Sequence, residues 1–370
     1  MHGESNGRLV RIQTHATHRL FLKQPEVMTK KITIDEVARL AYVSRSVVSR
    51  VLNNHPNVSK EARARVMKVI EEYNYRPSSV ARSLVTDRTY ELCVLAPRRR
   101  NDVLATGYWP LVLLGLSEQS IQRGYYVSIS MVSADMESAI NERILTGHAF
   151  DGFILIARDV TRFVAEALQA SATPIVLIGH DPNFPDLNSI DADNFDGAYQ
   201  AGSHLVGLGY RRIGLMLGPA EMPESDDRRN GFLKALADAG LSVPPAYTAI
   251  GDYSHQSGYA IMQRWIERGD VPEAVFCTSD AKATGAILAL HEAGLRVPED
   301  VAIVGFDDLP TARFTIPPLT TVHQPVYEKG EQAANVIIDL IEGQRTGVIH
   351  QNLPVKLVVR ETCGAHLRTT

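Results

Sequence analysis

A short segment early in the chain places two arginines and two serines on one side of a helical pattern. The polar positions are Arg45, Ser46, Ser49 and Arg50, and the apolar positions are Val48, Val51 and Leu52. DNA admits one α-helix into its major groove, where side chains near the helix N-terminus reach base edges. Arg50 lies four residues after Ser46 on the same face and offers a donor fork for guanine or phosphate. A single surface arginine is more often only solvated, so this prediction of a DNA contact depends on the whole segment.

Three short helices are predicted to position this segment. Thr33 and Glu36 have the capping-box spacing that begins a first helix, and Ser44 is a candidate N-cap for the second. A third helix is predicted to begin at Ser59, with its inward side made by Ala62, Val66, Val69, Ile70 and Tyr73. Together these elements predict a helix-turn-helix domain.

The charge of the chain is divided unevenly. Residues 28–90 carry 12 lysines and arginines against six acidic residues, and residues 1–27 carry four against two. The other 280 residues carry 22 basic against 34 acidic residues, so a basic head joins an acidic body. This asymmetry favours a nucleic-acid contact at the head. A solvated basic face without a partner is the alternative.

Length and composition limit the class of protein. With 370 residues, 45% of them hydrophobic, the chain is expected to form two or three packed units. We find neither a membrane-length apolar run nor a secretory signal pattern, and so expect a cytoplasmic protein. Cys93, Cys277 and Cys363 are far apart and lack metal-ligand spacing, so we expect free thiols and no metal site.

Beyond Thr89, apolar runs alternate with helical patterns. The predicted strands are Leu92–Ala96, Tyr126–Ser130, Gly152–Ala157, Pro174–Gly179, Ile213–Gly218, Ala274–Cys277 and Val301–Phe306. The predicted helices are Leu113–Arg123, Phe195–Leu208, Gly231–Ala239, Ser257–Arg268 and Ala283–Ala293. This alternation predicts two doubly wound α/β sheets.

Ligands of open α/β sheets bind outside the carboxyl ends of the strands. Loops expected there include Arg98–Trp109, His180, Glu221–Arg228, Tyr253, Ser279-Asp280 and Asp307-Asp308. The flat rings in this set suit the C–H faces of sugars, or a base, by apolar contact and stacking.

Several ordered motifs resemble the lactose-repressor (LacI/GalR) family of bacterial transcription regulators. They are Thr33-Ile34-Asp35-Glu36-Val37-Ala38, Val43-Ser44, Val48-Ser49-Arg50-Val51-Leu52-Asn53, Tyr75-Arg76-Pro77 and Ala81-Arg82-Ser83-Leu84. The resemblance extends from about Ile32 to Arg360. It implies a DNA-binding domain at 28–76, a hinge helix and linker at 77–89, and a body at 90–370. Residues 1–27 have no apolar period, so we expect a poorly ordered extension there, with a basic arm that reaches along the phosphate backbone as the alternative. That body is expected to be a periplasmic-binding-protein-like α/β domain with a cleft between two lobes and crossovers near 188, 318 and 348.

The resemblance also assigns the DNA contacts. Arg45, Ser46 and Arg50 stand at base-reading positions, Val47 can touch a thymine methyl, and Asn53 supports a backbone contact. Leu84 matches the leucine that wedges between bases in the minor groove, although an ordinary linker with one exposed leucine is the alternative. Thr33, Ser44 and Ser49 complete the expected set.

The same resemblance assigns the effector site. Tyr108-Trp109 and Tyr253 match aromatic positions that close on the ligand from opposite sides. Arg228 and Asp307 match the arginine and aspartate that grip effector hydroxyls or a carboxylate. His180 and Ser279 complete the expected effector set.

Four features depart from the family pattern or add to it. Tyr42 replaces the usual turn glycine, Gly179 followed by His180 replaces an acidic residue, and Ser279 replaces a frequent asparagine. Arg98-Arg99-Arg100 adds cations that favour an anionic effector, with a solvated loop as the alternative. We expect Asp280 to cap the following helix.

These observations predict a homodimeric regulator, and more specifically a repressor, that binds double-stranded operator DNA and a small-molecule effector, a sugar or sugar derivative. No cofactor and no membrane partner is implied. We find no phosphate loop, no Gly-x-Gly-x-x-Gly after a strand and no Gly-x-Ser-x-Gly elbow, which argues against an enzyme. The alternatives are a periplasmic-type sugar-binding protein without a DNA role, and a nucleoid-type DNA binder whose body has lost its ligand.

Overall fold

The computed structural model describes residues 32–52, 55–75, 88–97, 107–132, 149–156, 173–220 and 222–368. The chain divides into two compact units, Met1–Ala81 and Arg82–Thr370, which we call the head and the body. The predictions for residues 1–27, the linker up to residue 87, Asn53, Leu84 and Arg98–Arg100 lie outside the described residues.

The head contains three helices, α1 (Ile34–Leu40), α2 (Arg45–Leu52) and α3 (Lys60–Glu72). The predicted capping box is present, because Glu36 N donates to Thr33 Oγ1 (3.3 Å) and Thr33 N donates to Glu36 Oε2 (2.7 Å). The helices pack around Val37, Ala38, Ala41, Val48, Val51, Val66 and Val69. Tyr73 was predicted to face inward but is 42% exposed, because α3 ends one residue earlier. Tyr75 packs against the head core instead.

The turn between α1 and α2 keeps a left-handed residue although glycine is absent. Tyr42 has φ 55° and its side chain projects into solvent. Tyr42 N donates to Arg39 O (3.3 Å) and Val43 N donates to Ala38 O (3.0 Å). This pair of bonds is the Schellman motif that ends many helices, with Tyr42 at the position where glycine is preferred. The tight turn therefore survives the departure from the family pattern.

We expect Tyr42→Gly to stabilise the head by up to about 1 kcal/mol, because it removes the cost of left-handed backbone at a residue whose side chain is almost wholly exposed. Slower amide hydrogen exchange in α1 and α2 of the full chain would show the gain. Tyr42→Ala keeps the Cβ and serves as the control that should show none. Equal exchange in the glycine variant and the parent would contradict the strain at this position.

The body is built on two six-stranded sheets. The first sheet is wholly parallel and has the order β11-β5-β4-β3-β1-β2. Its strands are β1 (Glu91–Pro97), β2 (Tyr126–Val132), β3 (Gly152–Ile156), β4 (Ile175–Ile178), β5 (Asn188–Ala192) and β11 (His350–Leu353). The second sheet has the order β12-β10-β9-β8-β6-β7, and only β12 is antiparallel to its neighbour. Its strands are β6 (Ile213–Leu217), β7 (Thr248–Ile250), β8 (Ala274–Cys277), β9 (Ala302–Asp307), β10 (Thr320–His323) and β12 (Lys356–Val358).

Helices cover these sheets and define two lobes. The first lobe has α4 (Tyr108–Gln122) and α9 (Val326–Ile341). The second lobe has α5 (Asn194–Gly207), α6 (Pro223–Asp238), α7 (His255–Glu267), α8 (Asp280–Glu292) and the short α10 (Ala365–Arg368). Two short 3-10 turns, Pro245–Tyr247 and Pro310–Arg313, complete the second lobe. Each sheet has an apolar cluster on both faces, so both are buried as parallel sheets require. The predicted helical head and two-sheet α/β body are confirmed.

The observed structure differs from the predicted elements in three respects. Five strands lack an apolar run and were not predicted, as β5 illustrates with its buried Ser189 and Asp191. The helix α6 begins at Pro223, eight residues before its predicted start, because its first two turns are mostly polar. The chain crosses between the sheets at residues 193, 324–325 and 354–355, five to seven residues after the expected positions.

Candidate nucleic-acid interface and ligand cleft

The outward side of α2 is polar and cationic, as predicted. Its polar face consists of Ser44, Arg45, Ser46, Ser49 and Arg50, of which all but the half-buried Ser49 are exposed. Ser44 Oγ lies 2.8 Å from Ser46 Oγ and accepts a hydrogen bond from Val47 N (3.4 Å). The first turn of α2 contains no acidic residue, so the positive end of the helix dipole is free to face a phosphate.

Two other arginines of the head are used internally. Arg63 donates to His55 O (2.8 Å) and Arg65 Nε donates to Ala41 O (3.0 Å), so both tie α3 to the preceding segments. Arg45 makes only a loose contact with Asp35 (3.9 Å), a pair of little energetic weight at the surface. Arg45 and Arg50 are thus the arginines of α2 that remain available for DNA.

Two predicted DNA contacts occupy less open positions. Val47 is half-buried against the head core, which leaves only part of its side chain for a thymine methyl. Thr33 is exposed at the start of α1, and its hydroxyl belongs to the capping box.

Arg228 and Asp307 meet in the body, between the ends of several strands. Arg228 Nη1 lies 3.8 Å from Asp307 Oδ1, and both side chains are more than nine-tenths buried. Arg228 Nε donates to Asn194 Oδ1 (2.9 Å) and Nη1 donates to Thr278 O (2.6 Å). Its guanidinium also lies over the ring of Phe306, 3.9 Å from the centroid. The arginine is therefore held rigidly, although it lies on helix α6 and not in a loop as predicted.

Asp307 lies on strained backbone at the end of β9. Asp307 has φ 129° and Asp308 has φ 55°, both in the region that glycine favours. Consecutive residues of this kind are characteristic of functional sites, where the surrounding structure sustains the strain. Burial raises the pKa of Asp307 to about 6, although Arg228 and the hydrogen bond from Gln324 (2.6 Å) oppose this rise.

A second buried network lies in the first lobe and was not predicted. Lys329 Nζ, at the start of α9, donates to Asp191 Oδ1 (3.1 Å), Tyr108 Oη (3.1 Å) and Gln324 Oε1 (3.2 Å). Burial opposes the charge of Lys329, but Tyr108 and Asp191 outweigh it and raise its pKa. Burial would raise the pKa of Asp191, yet Lys329 and His180 together lower it. All three N–H groups of this lysine therefore have protein acceptors.

His180 connects this network towards the second lobe. Its Nδ1 lies 2.9 Å from Asp191 Oδ2, and its Nε2 lies 3.7 Å from Asp227 Oδ2 on α6. The bond to Asp191 raises the pKa of the imidazole in spite of burial. The imidazole of His180 thus lies between two carboxylates, one residue after the position where the family usually has an acidic side chain.

Aromatic side chains complete the cleft. Tyr108 and Trp109 pack edge to face at the start of α4, with ring centroids 4.9 Å apart. The ring of Tyr253 lies 5.7 Å from the Arg228 guanidinium. A Cβ on Gly218 would lie 2.4 Å from that ring, so only glycine leaves room for it. Burial raises the pKa of Tyr253, which keeps its hydroxyl protonated.

Ser279 and Asp280 do not have the roles expected of them. Ser279 is the N-cap of α8, where its Oγ accepts a hydrogen bond from Lys282 N (3.2 Å), and it is 4% exposed. The carboxylate of Asp280 instead accepts bonds from Leu309 N (2.8 Å) and Thr321 Oγ1 (2.5 Å). The prediction that Asp280 caps the helix was wrong, because the preceding serine already fills that position.

We expect the contribution of Asp307 to the thermal stability of the body to fall as the pH rises from 4 to 6. Asp307 holds its proton more tightly in the folded state, so its contribution is present at low pH and is lost as the pH rises through about 6. The raised pKa of His180 extends the loss above the imidazole's ordinary range near 6.5. Thermal unfolding across this range checks the slope. Relative to Asp307→Asn, the parent should lose more stability between pH 4 and 6, and an equal dependence on pH in both proteins would contradict the assignment.

The described part of the chain contains no group of three histidine, cysteine, aspartate or glutamate side chains arranged to hold a metal ion. It also contains no helix long and apolar enough to cross a membrane. The three cysteines are buried and free.

Comparison with known proteins finds a matching family model for the head and another for the body. Residues 33–78 match the model of bacterial regulatory proteins, lacI family, and residues 203–363 match a periplasmic binding protein-like domain. The HTH-type transcriptional repressor PurR of Haemophilus influenzae is 34% identical over 318 residues, which cover 85% of this chain and 93% of that protein.

Two solved structures are similar over 90% of this chain and 99% of their own, each at 30% identity. One is a lac repressor dimer bound to operator and the anti-inducer ONPF, with a TM-score of 0.79. The other is a complex of the transcriptional regulator CelR with cellobiose, with a TM-score of 0.69.

A helix-turn-helix head joined to a two-lobed α/β body defines a class of transcriptional regulators. The chain belongs to the lacI family of bacterial regulatory proteins within that class. The prediction of a regulator that is not an enzyme is confirmed by these relatives.

Proposed function

We propose that the chain is a homodimeric repressor that binds a roughly palindromic operator through α2 and responds to a small sugar or sugar derivative. The observation that carries the effector site is the buried Arg228–Asp307 pair, with Tyr253 and Phe306 against the arginine. A guanidinium group and a carboxylate form hydrogen bonds with hydroxyl groups, while flat aromatic rings pack against the C–H face of a sugar. The cellobiose held by the similar CelR structure supports this class of ligand.

The contacts of Lys329 favour a neutral effector over a sugar phosphate. Three acceptors already occupy its N–H groups, and Arg228 faces Asp307. The cations Lys329 and Arg228 of the described cleft are thus already paired with protein groups when a phosphate enters. Hydroxyl groups need no such free charge.

Control of DNA binding requires the effector to prefer one lobe arrangement, since equal affinity for both would shift nothing. The lac repressor structure bound to operator supports a dimer that presents two heads to DNA. Such a regulator would act in the cytoplasm, where bacterial DNA lies.

One experiment tests both the ligand cleft and the DNA-binding face of α2. Thermal unfolding of the full chain is measured with cellobiose, ribose, sugar acids, sugar phosphates and purines, because a ligand of the native state raises the midpoint. Duplexes are then selected from a random pool, and binding to the selected operator is measured with and without each hit. A neutral sugar that raises the midpoint and changes operator affinity supports the proposal. A hit confined to sugar phosphates would overturn the ligand class, and failure to select any operator would overturn the repressor role.

A further inference from the structure

Tyr42, in the turn between α1 and α2, combines left-handed backbone with an almost wholly exposed side chain. It has φ 55° and is 87% exposed, the largest exposed fraction among the large apolar and aromatic residues of the described head. Within the described residues, its ring packs against no other ring and its hydroxyl has no hydrogen-bond partner. The free protein therefore gains nothing from this side chain that would offset its unfavourable backbone.

The other left-handed residues differ from Tyr42 in this respect. The described chain has four further non-glycine residues with positive φ, which are Asn74, Tyr90, Asp307 and Asp308. Asparagine and aspartate tolerate this region, because their short polar side chains form local hydrogen bonds. Tyr90 is held by its ring, 5.4 Å from that of Tyr125, and by its N–H, which donates to Asp151 Oδ2 (2.9 Å). Strain without such support is characteristic of functional positions, which indicates that Tyr42 makes a contact outside the free protein.

The position of Tyr42 in the helix-turn-helix limits what that contact can be. Tyr42 lies two residues before Ser44, whose hydroxyl accepts from Val47 N (3.4 Å) at the start of α2. Two residues of chain span at most about 7 Å, so the two Cα atoms lie within this distance. In a docked helix-turn-helix the first helix crosses the DNA backbone, and the second enters the major groove, which is about 12 Å wide. The residue that joins them therefore lies at the edge of the groove, beside a strand of phosphates.

The surroundings of Tyr42 suit an anion. The first turn of α2 contains no acidic residue, and Arg45 in that turn is paired only loosely with Asp35 (3.9 Å). A tyrosine hydroxyl is a neutral donor, and such donors commonly bind phosphate oxygens of DNA. The chemistry of the side chain thus agrees with its position.

We propose that Tyr42 binds the DNA backbone, with its hydroxyl donating a hydrogen bond to a phosphate oxygen at the edge of the major groove. This contact depends on the proposed function, because it requires α2 to lie in the groove. It positions the head on the duplex and reads no base. The glycine that is usual at this position in the family has no side chain to make it, so this chain exchanges stability of the turn for affinity.

The test compares Tyr42→Phe with the parent in the full chain. This variant keeps the ring and removes only an exposed hydroxyl, so the thermal midpoint should not change. Affinity for the selected operator should fall at least about tenfold, because each of the two heads loses a hydrogen bond to a charged group. Affinity for an unrelated duplex of the same length should fall too, which leaves the preference for the operator intact. The salt dependence of binding should stay the same, since a neutral phenol releases no counterion.

Two matched variants separate this contact from general effects. Tyr73→Phe removes the hydroxyl of another exposed tyrosine of the head, at the C-cap of α3 and outside the turn. It should retain the affinity of the parent. Tyr42→Gly should bind DNA at least as weakly as Tyr42→Phe, while amide hydrogen exchange in α1 and α2 becomes slower. Affinity and stability would then change in opposite directions, which a purely structural role of Tyr42 would not produce.

Neutral phosphates in the duplex identify the partner of the hydroxyl. Single phosphates of the selected operator are replaced by methylphosphonates, which remove the charge at one backbone position. At the phosphate that Tyr42 contacts, the replacement should weaken the parent but cause little further loss in Tyr42→Phe, because that variant already lacks the interaction. Replacements elsewhere should weaken both proteins equally.

The outcomes are distinct. An operator preference in the parent, with unchanged affinity in Tyr42→Phe, would overturn the phosphate contact alone. An equal loss in Tyr73→Phe, or a loss confined to the operator, would also overturn it. A parent without any operator preference would overturn the proposed function and this contact together.

Discussion

Replacing Arg50 with alanine should lower the affinity for the selected operator by about 30-fold or more, because each of the two heads loses a contact worth roughly 1–3 kcal/mol. Arg50 is exposed on the polar face of α2, one turn beyond Ser46. Binding of a fluorescent operator duplex, measured at several salt concentrations, checks the prediction. The thermal shift produced by an effector should be unchanged.

Lys68→Ala is the matched control for this prediction. Lys68 is an exposed cation of the same head, but it lies on α3, outside the polar face of α2. Its loss should weaken binding far less and leave operator preference intact. An equal effect of the two variants would mean that only net charge is read, and the assignment of the recognition helix would fail.

Replacing Asp307 with asparagine should reduce effector affinity by about 10- to 100-fold, the usual cost of losing a charged hydrogen bond of about 1.5–3 kcal/mol. Asparagine keeps an acceptor for Gln324 and tolerates positive φ. The raised pKa of Asp307 shows that its charge is costly in this environment, so the neutral variant should fold at least as well. Loss of the effector-induced thermal shift, with a baseline midpoint no lower than that of the parent, is the expected result.

Asp308→Asn separates binding from folding. Asp308 also has positive φ, but its carboxylate binds Arg360 (2.5 Å) and His323 (3.1 Å). This variant should lower the midpoint while keeping the effector shift. If Asp307→Asn keeps the full shift, the aspartate does not contact the ligand.

Local signals explain why much of the head could be predicted. Thr33 and Glu36 form their capping box within four residues, and Ser59 accepts from Ala62 N (3.2 Å) at the start of α3. Such bonds depend on residues that are neighbours in the sequence. Tyr42 shows the limit, since hydrogen bonds across the turn hold a conformation that tyrosine itself disfavours.

The cleft was predicted only in part, because the network around Lys329 depends on contacts between residues that lie far apart in the sequence. Lys329 and Asp191 are 138 residues apart and meet through a helix that returns to the first sheet after a crossing. No apolar run marks β5, and Gly330 weakens the helical pattern of α9. Arg228 and Asp307 were identified by resemblance, whereas the stacking of the Arg228 guanidinium on the Phe306 ring could be seen only in the fold.

The late crossing of the chain at residues 354–355 has a consequence for biosynthesis. It links β11, which completes the edge of the first sheet, to β12, which completes the edge of the second. A nascent chain that ends before residue 350 therefore leaves both lobes with an open strand edge, a template for mispairing. Premature termination would thus yield fragments prone to aggregation, and not a shorter regulator that occupies operators without responding to ligand.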